Sequence, residues 1–197
     1  MKFKRFAVFI GMSAILLVAG AAFGADKFDF DPMHTQIGFA VKHLVISTVR
    51  GQFREFTGTI QYDPTDLTKS SVSVTIKTAS INTQVEMRDN DLRSPNFFDA
   101  PKYPEITFQS TRIEKKGDGF VAIGTLNMHG VSKEVALPFT MSSKIKDPWG
   151  KERFAVEGTL TIDRRDWGLT WDQRLDGGGL VVGNEIKIEL SVEAVKG

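Results

Sequence analysis

Residues 185–194 read EIKIELSVEA, which sets Ile186, Ile188, Leu190 and Val192 against Glu185, Lys187, Glu189, Ser191 and Glu193. Strict period-two alternation puts the apolar side chains on one face of an extended strand and the polar ones on the other. Such a strand must lay its apolar face over a core that other strands complete. The alternation recurs along the chain, and this recurrence restricts the fold more than any single motif does. TQIGFAVKH carries Ile37, Phe39 and Val41 on one face, SVSVTIKT carries Val72, Val74 and Ile76, and EITFQST carries Ile106 and Phe108. VALPFTM contributes Val135, Leu137, Phe139 and Met141; FAVEGTLTID contributes Phe154, Val156, Leu160 and Ile162. GQFREFTGTIQY holds Phe56, Gly58, Ile60 and Tyr62 in one phase and Phe53 in the other, which predicts a bulge near Arg54 and Glu55. GFVAIGTLNM is apolar on both faces, so its inward side stays open.

These eight segments are joined mostly by short turn-like connections such as DPTDLTKS, KKGDG, MHGVS and KDPWGKE. Regularly spaced strands with little helical interruption predict an antiparallel all-β domain, either a sandwich or a barrel. Long strands linked as hairpins favour an eight-stranded up-and-down barrel, because closure removes the unpaired edges that a sandwich keeps. The chain has no cysteine, so a packed core rather than disulfides must hold the fold.

The front of the chain reads differently. MKFKRF is basic, the next sixteen residues are apolar or small, and Ala22 and Gly24 supply small side chains at a cleavage position. That is the three-part form of a secretory signal peptide, with cleavage expected near Gly24 and one domain over residues 25–197. The run falls short of the ~18–20 residues of a bilayer-spanning helix, so no stable membrane insertion is expected. Residues 1–24 hold three basic groups and no acidic one; without them 22 basic face 24 acidic groups, a net charge of −2. Such a chain has no basic footprint for nucleic acid and no polybasic patch for lipid headgroups. The expected location is the periplasm.

One connection breaks the strand pattern. Within residues 80–104, TQVE has the spacing in which Thr83 and Glu86 form a capping box, and Pro95 should end the helix near Arg93 or Ser94. A helix of about ten residues does not stand alone in water, and Val85 and Leu92 are its expected docking seam. Pro95, Pro101 and Pro104 stiffen the return, and Phe97 and Phe98 lie inside it, each worth ~1.5–3 kcal/mol when buried. Helix and Phe-Phe segment should therefore close one end of the barrel. Closure alone suits a packed plug with no ligand, the commoner arrangement, as well as a rim around a binding cavity.

Polar candidates are few. The histidines are His34, His43 and His129. On one regular strand His34 and His43 would point to opposite faces, which argues against joint metal ligation; His43 shares the phase of Phe39 and Val41 and is expected inside. Arg88, Asp89, Asp91 and Arg93 begin like a calcium loop, but Arg93 and Ser94 fall where that loop needs an acid or amide and a glycine. No metal is expected. DGGGLVVGN at residues 176–184 precedes no helix and is a loop, not a phosphate cradle. With no cysteine and no G-x-S-x-G motif, nucleophilic catalysis has no anchor and no enzyme is expected.

Four blocks taken in order, DPMHTQIGFAVKHLVISTVRGQFREFTGTI, ASINTQVEMRDNDLRSPNFFDAPKYPEITF, GTLNMHGVSKEVALPF and IDRRDWGL, resemble the YceI family of exported, lipocalin-like proteins. The resemblance covers essentially the whole chain after residue 24. Its most specific carriers are RD-x-x-L-R-S-x-x-FFD and the group His34, Phe39, His43 and Leu44. It implies an eight-stranded lipocalin-like barrel, with the short helix between the third and fourth strands. It also implies an elongated apolar tunnel that holds a polyisoprenoid or another long-chain amphiphile, with no covalent chemistry and no cofactor.

On that resemblance Ile37, Phe39, Val41, Phe56, Ile60, Val74 and Ile76 line the tunnel from the early strands. Phe108, Phe139, Leu160 and Ile188 line it from the later ones. Phe97 and Phe98 stand at its end; Trp167 and Trp171, near a barrel end, either stack on the ligand or close the core. His43, Arg88 and Asp89 are the candidate polar contacts to a headgroup, against a buried carbonyl partner for His43 and ion pairs within the helix and to the barrel for the other two. Arg164 adds a guanidinium nearby that would bear on headgroup preference. Each buried methylene is worth ~0.8 kcal/mol, so length and shape would set selectivity. Two other uses of such a tunnel are broad scavenging of hydrophobic compounds and an enzyme acting on the bound lipid. A homodimer is compatible with the patterning, which gives no reason for one.

Overall fold

The structure, a computed structural model, describes residues 24–197, so the expected signal peptide lies outside the described residues save for Gly24. Strands follow one another as β1 (Asp26–Phe30), β2 (Gln36–His43), β3 (Ser47–Phe53), β4 (Phe56–Tyr62), β5 (Ser71–Lys77) and β6 (Ile81–Asn82). The helix α1 (Glu86–Arg93) comes next, then β7 (Glu105–Lys116), β8 (Gly119–Met128), β9 (Val131–Met141), β10 (Ile145–Lys146), β11 (Glu152–Asp163) and β12 (Val182–Lys196). Among the described residues no helix is long and apolar enough to cross a membrane.

Several of these segments are pieces of one longer stave. β1 and β2 lie end to end on the same edge of β12, pairing with residues 194–196 and 182–191. β4 pairs with β1 and β3 with β2, so they too form one stave, broken at Arg54 and Glu55 where the phase of the phenylalanines changes. β5 and β6 run along β4 and β3 in the same way. β7, β8, β9, β11 and β12 complete the series, and β12 returns to the first stave. Eight antiparallel staves thus close into a barrel, the architecture that the alternation and the hairpin connections predict.

Closure depends on local irregularities that the side-chain pattern encodes. β7 bulges between Ser110 and Arg112, opposite Gly124. A Cβ at Gly124 would collide with the Gln109 carbonyl oxygen, so only glycine lets β8 follow the bulge. β8 also settles its own ambiguity: Ala122, Leu126 and Met128 face inward. Val121 and Ile123 sit on the outer face yet are buried. Their cross-strand neighbours Glu114 and Arg112 are joined by a 2.8 Å ion pair, and long side chains lying over apolar ones account for that burial.

The barrel is packed at both ends. At one, Phe28 is fully buried with Ile60, Phe154 and Ala194; its ring meets Phe154 at 4.8 Å and Tyr62 at 5.8 Å, both edge-on. At the other, Ile106, Leu126, Met128, Ile162, Trp167 and Leu169 form a second cluster, with Phe53 and Phe98 against it. The β2–β3 hairpin at this second end turns through Leu44 and Val45, both at positive φ (52° and 65°). Val45 is β-branched and unsuited to that region, and its side chain stays exposed.

Candidate functional site

Between the two clusters runs an elongated cavity of about 240 Å³ whose surface is almost wholly apolar. Residues of every stave contribute to its wall. A filled barrel would bury its inward side chains, yet Phe39, Val41, Leu137, Phe139, Leu160, Ile186 and Ile188 point inward and are only half-buried. The bore is therefore hollow. Drug-sized ligands usually occupy ~300–1,000 Å³, and a smaller volume lined by every stave of the barrel suits a slender chain.

Of the apolar residues expected at the tunnel, Ile37, Phe39, Val41, Ile60, Val74 and Ile76 line this cavity. So do Phe97, Phe98, Phe108, Phe139, Leu160 and Ile188. Phe56, Trp167 and Trp171 do not. Phe56, half-buried at the start of β4 and paired with Ile76, keeps the phase of Ile60 but lies beyond the end of the wall. Trp167 lies below the cavity floor, buried, with its indole N–H donated to the Leu126 carbonyl at 3.2 Å. Trp171 lies behind Phe97, ring centroids 5.4 Å apart. The wall also holds Leu137, Ile186, Leu190 and Val192, which share the strand phases already read and could have been named from them, and Leu126 and Met128, which lie on the strand apolar on both faces and could not.

The helical connection closes the Trp167 end of the bore. Leu92, Phe97 and Phe98 enter the cavity wall from it, and Phe97 is almost fully buried. The capping box does not form. α1 starts at Glu86 with Val85 before it, and no side chain caps it. Instead Asp89, 3% exposed, accepts hydrogen bonds from the Thr83 amide at 2.8 Å and the Thr83 hydroxyl at 2.5 Å. Thr83 is thus tied to Asp89 at the end of the first turn of the helix, and Glu86 is left in solvent. Val85 is also exposed, so Leu92 alone carries the expected seam.

The charges of α1 face the protein's own backbone. Arg88 donates to the Thr83 hydroxyl (2.7 Å) and carbonyl (3.0 Å). Arg93 donates to the Ala79 carbonyl (2.7 Å) and the Ile81 carbonyl (2.8 Å). These bonds dock a helix whose apolar seam is too thin to dock it alone. Neither Arg88 nor Asp89 reaches the cavity, and His43, half-buried at the end of β2, is not part of its wall. The three residues expected to meet a headgroup therefore stand outside the bore.

Arg164 is the one charged residue in the cavity wall. It is 3% exposed, and its guanidinium is turned away from the bore toward main-chain carbonyls. It donates to Gly183 at 3.0 Å, Trp171 at 2.7 Å, Val182 at 3.4 Å and, closely, Leu169. Burial pushes its pKa below the ordinary arginine value. Its stem lines the wall while its head pins both ends of the loop between residues 169 and 183. This placement corrects the expectation that Arg164 sets headgroup preference.

Ligand-type atoms of Asp31, His34 and Glu193 come within 4.8 Å of one another. Arg153 already supplies the positive charge there, donating to Asp31 and Glu193 at 2.7 Å each and to Asp147 at 2.7 Å. Arg153 and, next, His34 hold the Asp31 carboxyl down to about 2. His34 sits in the turn between β1 and β2, at the opposite end of β2 from His43.

Relatives of the chain share this architecture. A protein from Yersinia pestis (strain Pestoides F), described as a UPF0312 protein, is 35% identical over 188 residues, covering 95% of each chain. BcnA of Burkholderia cenocepacia superposes with a TM-score of 0.73 at 22% identity, over 83% of this chain and 98% of that one. A domain from Saccharophagus degradans, described as polyisoprenoid-binding and implicated in plant cell wall breakdown, superposes with a TM-score of 0.63 at 15% identity, over 88% and 99%. Both likenesses are of fold. The model of the YceI-like domain matches residues 28–194, nearly the whole barrel, and with the relative at 35% identity it establishes that the chain belongs to the YceI-like family.

Proposed function

We propose that this chain is an exported carrier that holds a polyisoprenoid or a similarly long amphiphile inside its barrel, binding the lipid without transforming it. The observation that carries the reading is the hollow, almost wholly apolar bore, with inward side chains that stop short of meeting. Burial of each methylene in such a bore is worth ~0.8 kcal/mol, so affinity follows from chain length with no polar recognition. The ligand described for the Saccharophagus domain supports the choice of lipid. The basic, apolar and small-residue sequence at the front of the chain supports export to the periplasm.

The same shortage of polar groups in the bore favours a second use, scavenging of diverse hydrophobic compounds. Competition between a prenyl alcohol and unrelated amphiphiles separates the two: a selective carrier keeps the prenyl chain. Organic extraction of the protein purified from its own source, with mass spectrometry of the extract, tests the main reading. A prenyl or other long-chain lipid should be recovered. Empty protein that also ignores added polyprenol contradicts the proposal.

A further inference from the structure

The barrel wall is unbonded along one seam. β9 is laddered to β8 from Val131 to Phe139, and β11 is laddered to β12 from Arg153 to Asp163. The edge these two strands share carries three pairs only, Val156–Met141, Glu157–Thr140 and Gly158–Phe139. In that register Leu137 would next face Leu160, and Val135 would face Ile162, but those pairs are not made. Pro138 sits where the ladder stops and has no N–H to continue it. Beyond the gap the strands are rejoined near the barrel end by the Lys133–Asp166 ion pair at 3.0 Å and by the His129 ring on the Trp167 carbonyl at 3.1 Å. About five residues per strand lie between these closures, a slot of ~17 Å at ~3.3 Å per residue.

The slot opens toward hollow space on both sides. On the inside, Leu137, Leu160 and Ile162 line the bore. On the outside, a shallow groove of about 540 Å³ crosses the barrel and is edged by polar side chains including Gln36, Arg50, Glu157 and Glu189. Bore and groove share wall residues, among them Phe139, Gly158 and Leu190. Where the ladder ends, the two spaces are thus separated by little more than the backbone of a residue without a side chain.

We propose that the chain of a bound amphiphile enters the bore sideways, through the β9–β11 seam at Gly158, and that its polar head rests in the outer groove. The inference builds on the carrier reading and adds the route and the seat of the head. It accounts for two facts at once. Both barrel ends are packed by aromatic clusters, and the bore offers no polar partner for a head. It also lets a lipid too long for about 240 Å³ leave the wall just beyond the last ladder pair, Gly158–Phe139, where the two strands make no further pairs.

Two substitutions act on the seam in opposite directions. A Cβ at Gly158 would meet the Pro138 carbonyl oxygen at 3.2 Å and Leu137 Cδ1 at 3.5 Å, and the two methyls of Gly158→Val would crowd the slot further. Leu137→Ala empties it. Stopped-flow binding of cis-parinaric acid, a fluorescent long-chain polyene, reads both rates. Gly158→Val should slow association and dissociation alike by about tenfold, and Leu137→Ala should speed both, with the equilibrium affinity moving far less than the rates. Trp171→Ala, at the packed barrel end but outside the bore wall, should leave the association rate within about twofold of the unmodified protein. The proposal is overturned if Gly158→Val associates within about threefold of the unmodified protein, or if Trp171→Ala is the variant that accelerates. If the unmodified protein binds no probe, the carrier reading itself fails, an outcome distinct from binding with seam-independent rates.

Discussion

The ring of Phe98 meets the ring of Phe53 edge-on, with centroids 6.0 Å apart and planes at 84°. One ring belongs to the proline-stiffened return after α1 and the other to the barrel wall, so this contact joins the helical connection to the bore it closes. Phe97, beside it, reaches Trp171 and so touches the loop that Arg164 pins. Adjacent phenylalanines thus anchor two different elements over one opening.

Truncating these rings should cost unequal amounts. Phe97 is almost fully buried, while Phe98 borders hollow space and is half-buried. Phe97→Ala should lose ~3–5 kcal/mol, in the range for large buried aromatics, and Phe98→Ala ~2–3 kcal/mol. Urea unfolding of the two variants measures the difference, and equal losses would contradict the placement.

The start of α1 gives a sharper contrast. Asp89 is buried and accepts two hydrogen bonds from Thr83, whereas Glu86 has no capping role. Asp89→Ala should cost ~2–4 kcal/mol, because it leaves the Thr83 amide and hydroxyl short of a buried acceptor. Glu86→Gln should stay within ~0.5 kcal/mol of the unmodified protein, as solvent-facing changes do. A capping box would reverse this order, so the same unfolding experiment decides between the two arrangements.

That reversal shows where sequence reading reached its limit. Period-two alternation marked seven of the eight staves, all but the one apolar on both faces, and the phase slip between Phe53 and Phe56 marked the break at residues 54–55, because both are local properties of side-chain order. The T-x-x-E spacing at Thr83 was also local, and there a tertiary demand won: Asp89 had to leave solvent, and Thr83 was the donor within reach. For Trp167 and Trp171 the order of residues leaves stacking on a ligand and closing the core equally open. Whether an aromatic faces a cavity or packs behind it depends on the turn carrying it, here the short 3₁₀ segment Arg164–Trp167. Arg164 itself gave no signal of its role, since its partners are carbonyls of a loop that alternation does not describe. The β9–β11 seam left only Pro138 as a trace.

The charge cluster at the far end should make stability depend on acid pH. Arg153 holds Asp31 down to about 2 in the folded chain, against an ordinary 3.8. The unfolded chain therefore takes up this proton first as pH falls, so the stabilisation is present above about pH 4 and is lost toward about pH 2. Allowing for solvent screening, it amounts to ~1–2 kcal/mol. Asp31→Asn should be less stable than the unmodified protein at neutral pH by about that amount, and the two should converge near pH 2 in thermal or urea unfolding. A constant gap across that range would mean Arg153 does not hold the carboxyl.

Equilibrium titration of the purified barrel with cis-parinaric acid, at low and at high salt, tests the hollow bore most directly. The account predicts one saturable site per chain, displaced by a long prenyl alcohol, with affinity nearly independent of salt because no free charge faces the bore. Fluorescence that fails to saturate, or binding that disappears at high salt, would contradict it.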